Sequence, residues 1–249
     1  MSELTGLTAV ITGAGSGIGL ATAKNFAAAG ARVFGFDLSA GAMAGIAEWI
    51  PCDVGVTESV ESAFAELRER VAVLDILVNN AGIGAVGTVE DATDEEWHRV
   101  LNVNVVGMAR VTKAALPLLR ASRAPAIVNT GSIAAPLGLP DRAVYSASKG
   151  AVQSLTLAMA ADLIHEGIRV NCVNPGTSDT PWVSRLLDLA DDSAAERTAL
   201  EQRQPGGRLV APDEVAQSIR FLASPAQGAT TGTILAVDGG MTGLRVRAK

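Results

Sequence analysis

Tyr145 and Lys149 stand four residues apart, and the residues after them, Gly150 to Ala161, are small and apolar enough to read as helix. Positions i and i+4 share one face of a helix, so this spacing puts a phenol and an ammonium side by side. A neighbouring ammonium favours the phenolate form. Such a pair serves as a base toward a hydroxyl-bearing substrate and as an acid toward a carbonyl. Ser132, upstream of the pair, offers a hydroxyl that can hold the substrate oxygen. A lone YxxxK pair describes a packed ring and a solvated charge just as well. Other motifs in the chain decide between the two.

Thr12-Gly-Ala-Gly-Ser-Gly-Ile-Gly19 lies between an apolar run and a helical pattern. Gly13, Gly17 and Gly19, with Ser16 and Ile18 between them, let the backbone approach a pyrophosphate. The site is a helix N-terminus, where free N–H groups and the dipole favour an anion. Asp37 closes the next apolar run, where an acidic side chain bonds the ribose hydroxyls of NAD. The same carboxylate repels a 2′-phosphate. Neither Ser16 nor Leu38-Ser39 supplies an arginine to offset it, so NAD is expected over NADP. Asp53-Val54 closes a third run, where a carboxylate can receive the adenine amino group.

These groups require strands and helices in alternation. Strands are expected at Leu7–Thr12, Ala31–Asp37, Ile50–Val54, Leu74–Asn79, Ala126–Thr130, Arg169–Val173 and Thr233–Val237. Helices are expected at Gly17–Ala29, Ala40–Trp49, Thr57–Arg70 with Thr57 as its cap, Thr93 to about Arg120, Arg142–Glu166 and Pro212–Ala223. Thr93-Asp-Glu-Glu96 reads as a capping box. The stretch from Pro175-Gly176 to Arg208 reads as irregular and charged. Strict alternation implies a parallel sheet covered on both faces, with right-handed crossovers. No linker or repeat divides the 249 residues, so one α/β domain spanning 1–249 is expected.

Composition narrows the class of function. Hydrophobic residues make up 48% and charged residues 18%, enough apolar surface for a large core. The net charge is −6 and no Lys/Arg cluster has the size of a nucleic-acid footprint. No signal-peptide pattern or membrane-length apolar run appears, so a cytoplasmic protein is expected. Cys52, Cys172, His98 and His165 are isolated, which predicts reduced core thiols and no metal site.

With these residues in view, the chain resembles the short-chain dehydrogenase/reductase superfamily over essentially its whole length. The resemblance is carried by Thr12-Gly13-x3-Gly17-x-Gly19, Asp53, Asn79-Asn80-Ala81-Gly82, Asn104, Ser132, Tyr145-x3-Lys149, Pro175-Gly176 and Asp238-Gly239-Gly240. It implies a doubly wound sheet of seven parallel strands in the order 3-2-1-4-5-6-7. It implies that Tyr145 is the general acid/base, that Lys149 tunes it and bonds the nicotinamide ribose, and that Ser132 orients the substrate oxygen. Asn104 is implied to anchor a water linking Lys149 to solvent. Asn80, Ala81 and Gly82 are placed beside the adenine ribose, Thr177 and Thr180 near the carboxamide and phosphates, and Pro175 and Gly176 among the cofactor-binding residues. A homotetramer is implied, with the helices from about Thr93 and Arg142 at one interface. Gly131, where many members have a second serine, and Asn174 are departures from the pattern.

The segment 177–208 is expected to cover the substrate as a lid, with an apolar helical stripe of Trp182, Val183, Leu186 and Leu187 packing on the domain. Arg142 at the pocket mouth and Arg185 and Arg203 on the lid suit a bidentate carboxylate. Asn171-Cys-Val-Asn-Pro-Gly-Thr177, Asp179-Thr-Pro181, Arg185, Arg203-Gln204 and Arg208 resemble a hydroxy-acid subgroup. That subgroup includes 2-keto-3-deoxy-L-fuconate and type-2 3-hydroxybutyrate dehydrogenases, in which the matching arginines hold the carboxylate. The basic tail from Gly243 to Lys249 suggests a reach toward a neighbouring subunit. A deoxy-sugar acid is the first expectation and 3-hydroxybutyrate the second. A 3-oxoacyl-carrier-protein reductase is disfavoured by Ser16 and Asp37. A non-catalytic NAD-binding redox sensor is disfavoured by the presence of both Tyr145 and Lys149.

Overall fold

The structure, a computed structural model, describes residues 3–188, 190 and 192–246. Alternate residues of each strand face opposite sides of a sheet, and here both sides are apolar. In β1 (Thr8–Thr12), Ala9 and Ile11 enter one core while Val10 enters the other. β4 (Ile76–Asn79) divides the same way, with Leu77 on one side and Ile76 and Val78 on the other. Strands buried on both faces read as continuous apolar runs and occur in helix-covered parallel sheets. With β2 (Arg32–Asp37), β3 (Glu48–Pro51), β5 (Ala126–Thr130), β6 (Arg169–Pro175) and β7 (Ile234–Val237), they form one parallel sheet. Its order is β3-β2-β1-β4-β5-β6-β7, as expected. Helices α1 (Gly17–Ala28) and α8 (Pro212–Ala223) cover one face. Helices α2 (Thr57–Arg70), α4 (Gly107–Leu119) and α5 (Ala143–Leu163) cover the other.

Five local expectations are corrected. The Ala40–Trp49 helix does not form: the segment is turns, because Gly41 and Gly45 both adopt positive φ, and Trp49 joins β3 instead. β3 consequently ends at Pro51, before Asp53-Val54. Thr57 is the first residue of α2, with Val56 preceding it. The Thr57 hydroxyl accepts from Arg110 rather than capping the helix. The long helix from Thr93 is three pieces: α3 (Asp94–Leu101), a π-helical turn at Asn102–Val106, and α4. Thr93 does cap it, accepting from the Glu96 N–H at 3.2 Å. The stretch read as irregular holds two helices, α6 (Pro181–Asp188) and α7 (Ser193–Gln202). Asp192 caps α7 through the N–H groups of Ala194 and Ala195. Of the apolar lid stripe, Val183 and Leu187 are buried with Leu200 and Leu209, and Trp182 packs on them. The Leu186 side chain and tail residues Arg247 to Lys249 lie outside the described residues.

Candidate active site

The carboxyl ends of β1, β4, β5 and β6 open on one crevice of about 760 Å³. Such crevices are where ligands bind in open α/β sheets. All the candidate residues named from the sequence line it, except Gly19 and Asn104.

The glycine loop is shaped from within. Gly13 has φ +67° and Gly17 φ +54°, conformations that L side chains rarely adopt. The Thr12 hydroxyl accepts from the N–H groups of Asn80 and Ala81, both at 2.9 Å, which ties β1 to β4. The Asn80 carboxamide donates to the Thr12 carbonyl at 3.1 Å. Gly19 does not face the crevice. A Cβ there would overlap the Gly13 carbonyl, so this glycine lets α1 sit against β1. Ser16 provides no side-chain cap for α1, and Ser16, Gly17 and Ile18 line the crevice. An uncapped helix N-terminus with glycine around it fits a pyrophosphate. Asp37 lines the same end, and its Oδ2 accepts from the Gly15 N–H at 2.9 Å. It therefore shapes the loop as well as facing the crevice. Asp53 also lines it and accepts from Gly55 at 2.8 Å. Between them Cys52 is buried, and burial with the two carboxylates pushes its thiol up to about 12. It is neutral at any physiological pH.

On α5, Tyr145 and Lys149 share one face, with Nζ 5.7 Å from the phenol ring centroid. Lys149 is 5% exposed and donates to the Thr130 carbonyl at 2.8 Å. Among the described residues it makes no ion pair. A buried cation without a carboxylate is costly and is retained where a ligand or a reaction uses it. Ser132 stands at the end of β5 in the same crevice, its Oγ accepting from the Ala134 N–H at 3.1 Å. Asn104 stands behind the wall. Its Oδ1 accepts from the Ile83 N–H at 2.8 Å, and its Nδ2 donates to the Ile83 carbonyl and the Ser148 hydroxyl. The Ser148 hydroxyl donates in turn to the Tyr145 carbonyl. The π-helical turn gives Asn104 this position, linking the loop after β4 to the helix that carries the tyrosine.

The two departures from the family pattern are one feature. A Cβ at Gly131 would overlap Asn174 Oδ1 and lie 2.8 Å from Cys172 Sγ. The Asn174 side chain fills the space that a serine at 131 would need.

Residues of the 177–208 segment line the far side. Trp182 stacks on Tyr145, with ring centroids 6.3 Å apart and 20° between planes. Gly84 makes this approach possible: a Cβ there would lie 2.5–2.7 Å from indole atoms. Nothing in the sequence singles out Gly84, because its importance comes from a residue almost a hundred positions away. Arg142, Arg185 and Arg203 all reach the crevice. The carbonyl of Asp141, a residue in the left-handed region at φ +56°, accepts from the Arg142 guanidinium at 2.7 Å. Burial, and then the facing Arg203, lower the Arg142 pKa from its ordinary value. None of the three makes an ion pair among the described residues. Arg197 and Arg208 of the same segment are held by Asp179 and Glu214. Arg99, which the sequence reading missed, also lines the crevice and sits 3.9 Å from Glu96.

A family model described as enoyl-(acyl carrier protein) reductase, adh_short_C2, matches residues 13–242. The chain belongs to the short-chain dehydrogenase/reductase superfamily. A 2-(S)-hydroxypropyl-CoM dehydrogenase of Xanthobacter autotrophicus is 38% identical, over 94% of this chain and 96% of its own. A cis-4-hydroxycyclohexanecarboxylate dehydrogenase of Sinomonas cyclohexanicum is 40% identical over the same shares. The ligand-free structure of an aldohexose dehydrogenase from Thermoplasma acidophilum superposes with a TM-score of 0.94. It is 33% identical and covers 100% of this chain and 98% of that one. The chain is thus an oxidoreductase acting on an alcohol or ketone. No helix among the described residues is long and apolar enough to cross a membrane.

Proposed function

We propose that the protein is an NAD-dependent dehydrogenase of small hydroxy acids, a reading that takes in the hydroxy-acid subgroup suggested by the sequence. The observation that carries it is the set of three crevice arginines without ion-pair partners among the described residues, beside the Ser132–Tyr145–Lys149 group. The nicotinamide supplies the hydride acceptor. Ser132 holds the substrate oxygen, Tyr145 takes its proton, and Lys149 keeps positive charge beside the phenol. Asn104 positions the Ile83 loop against α5. Arg142 and Arg203, with Arg185, hold the carboxylate. A relative that is named for a hydroxycyclohexanecarboxylate agrees with this reading. A homotetramer is proposed with it, since Leu157 of α5 and the adjacent Ile164 expose apolar surface.

Steady-state kinetics test the carboxylate site. Arg142→Ala or Arg203→Ala should raise KM for hydroxy acids about 10- to 100-fold, the loss of a charge-assisted pair worth about 1.5–3 kcal/mol. KM for neutral alcohols should stay unchanged; an equal rise for them removes the carboxylate from the scheme. The cofactor reading has its own test. Asp37→Asn keeps an acceptor for the Gly15 N–H while removing the charge. The ratio of kcat/KM for NAD over NADP should fall about 10-fold or more, and an unchanged ratio refutes the ribose assignment.

A further inference from the structure

We infer that the acid oxidised here has an apolar body, aliphatic or alicyclic, and is not a polyhydroxylated sugar acid. This rests on the hydroxy-acid reading above and narrows it. The reacting oxygen must lie between Ser132 and Tyr145, so the walls around that point decide what the rest of the substrate can be.

Five of the side chains in those walls are largely hydrocarbon. Trp182 lies over the Tyr145 ring as a flat apolar surface. Val183 and Leu200, packed in one cluster with that indole, continue the wall on the lid side. Ile83 packs in the same cluster as Tyr145 on the domain side. Leu139, on the loop leading to Arg142, completes the enclosure. The carboxylate and carboxamide groups of the crevice wall, among the described residues, are Asp37, Asp53 and Asn80. These stand at or just beyond the ends of β2, β3 and β4, in the dinucleotide half. The guanidinium groups can satisfy one carboxylate, but they donate only. A chain of hydroxyls running from the reacting carbon to the carboxylate would run along Val183, Leu200, Ile83 and Leu139, which carry no polar side-chain atoms, and the Trp182 indole, whose one polar atom is its N–H; the hydroxyls of Thr177, Ser178 and Thr180 also line the crevice. An apolar pocket rejects one added hydroxyl by about 100-fold.

The position of Trp182 is built in. Gly84 leaves just the space its indole fills, and Val183 and Leu187 anchor its helix in a buried cluster. An aromatic face held this way selects a substrate that offers flat or methylene surface.

The test is a matched panel with wild-type enzyme and NAD: hydroxyhexanoates, a hydroxycycloalkane carboxylate, aldonic and deoxyaldonic acids of similar carbon number, and methyl esters of the first two. kcat/KM for an apolar acid should exceed that for every polyhydroxylated acid by about 100-fold. Equal or better use of a polyhydroxylated acid, or turnover of none of the apolar acids, overturns the inference. Esters used as well as acids would overturn the carboxylate reading alone, so the two failures are separable. Trp182→Ala should then lower kcat/KM for the apolar acid, through KM, about 10-fold more than it lowers kcat/KM for the polyhydroxylated acids. An equal loss on both classes would make the indole a structural element and count against the inference.

Discussion

Tyr145→Phe is expected to lower kcat about 10²- to 10⁴-fold, the range that a positioned proton donor or acceptor contributes. NAD affinity should remain within about twofold of wild type. The two effects separate because the ring has two jobs. Its hydrocarbon face stacks on Trp182 and packs with Ile83, Val100 and Val144, and phenylalanine preserves all of that. The hydroxyl takes part in no hydrogen bond among the described residues, so its removal leaves no buried partner stranded. What disappears is the atom proposed to exchange a proton with the substrate oxygen. Single-turnover oxidation of a hydroxy acid measures the first quantity, and fluorescence titration with NADH the second. Loss of cofactor binding with the hydroxyl would show that the phenol is a binding group. Turnover within tenfold of wild type would remove it from the proton path.

Lys149 is the observation that favours this phenol as the proposed acid/base. Tyr145 is the sole tyrosine in the chain, and the ammonium beside it is buried without a carboxylate among the described residues. Its acceptor is the Thr130 carbonyl, one residue before the glycine that makes room for Asn174. The strand end that fixes Ser132 thus also fixes the cation. Asn104 and Ser148 fix the helix from the other side. Ser132, Tyr145 and Lys149 are held by β5, by α5 and by the loop after β4, and the 177–208 segment adds the Trp182 stack on Tyr145.

The parts legible in the sequence share a cause. β1, β5 and α8 declare themselves by local pattern: apolar runs of strand length, and a proline-acid start before an amphipathic stretch. The glycine loop, Asp37 and the Tyr145–Lys149 pair have spacings that one element fixes. What failed was decided by contacts distant in sequence. The Ala-rich stretch from Ala40 has helix propensity. Met43 is buried against Gly35, and the turns at Gly41 and Gly45 carry it there. The π-helical turn at Asn102–Val106 exists because Asn104 bonds Ile83 and Ser148, neither of which a helical periodicity can anticipate. The helices of the 177–208 segment are short, and charges in and beside them pair, Arg197 with Asp179 and Arg208 with Glu214, so the pattern reads as polar loop. Gly19 shows the finer limit. The sequence motif groups it with the cofactor-binding glycines, and its place is behind the loop rather than on the crevice wall.

That placement makes Gly19→Ala the most damaging single methyl in the chain. A Cβ at this position overlaps the Gly13 carbonyl oxygen and lies 2.7 Å from the Asn80 amide nitrogen. Neither neighbour can retreat cheaply. Gly13 is held by its own N–H donating to the Phe36 carbonyl at 2.8 Å, and Asn80 by the Thr12 hydroxyl and carbonyl. Relief must come from α1 lifting off β1, which opens the packing of Phe26 and Ala23 beneath it. Overpacking of this kind costs about 1–3 kcal/mol. The same movement withdraws the α1 N-terminus from the crevice, so the anion site is lost along with the stability. Thermal unfolding should show a lower Tm without dinucleotide, and NADH titration an affinity reduced at least 100-fold. Gly17→Ala gives the contrast: its φ of +54° is strained by any side chain, but the nearest atom to its Cβ is a Thr180 methyl at 3.4 Å. Its effect should fall mainly on dinucleotide affinity, with a smaller change in Tm. If Gly19→Ala binds NADH normally, the close seat of α1 on β1 is not what holds the loop in its binding shape.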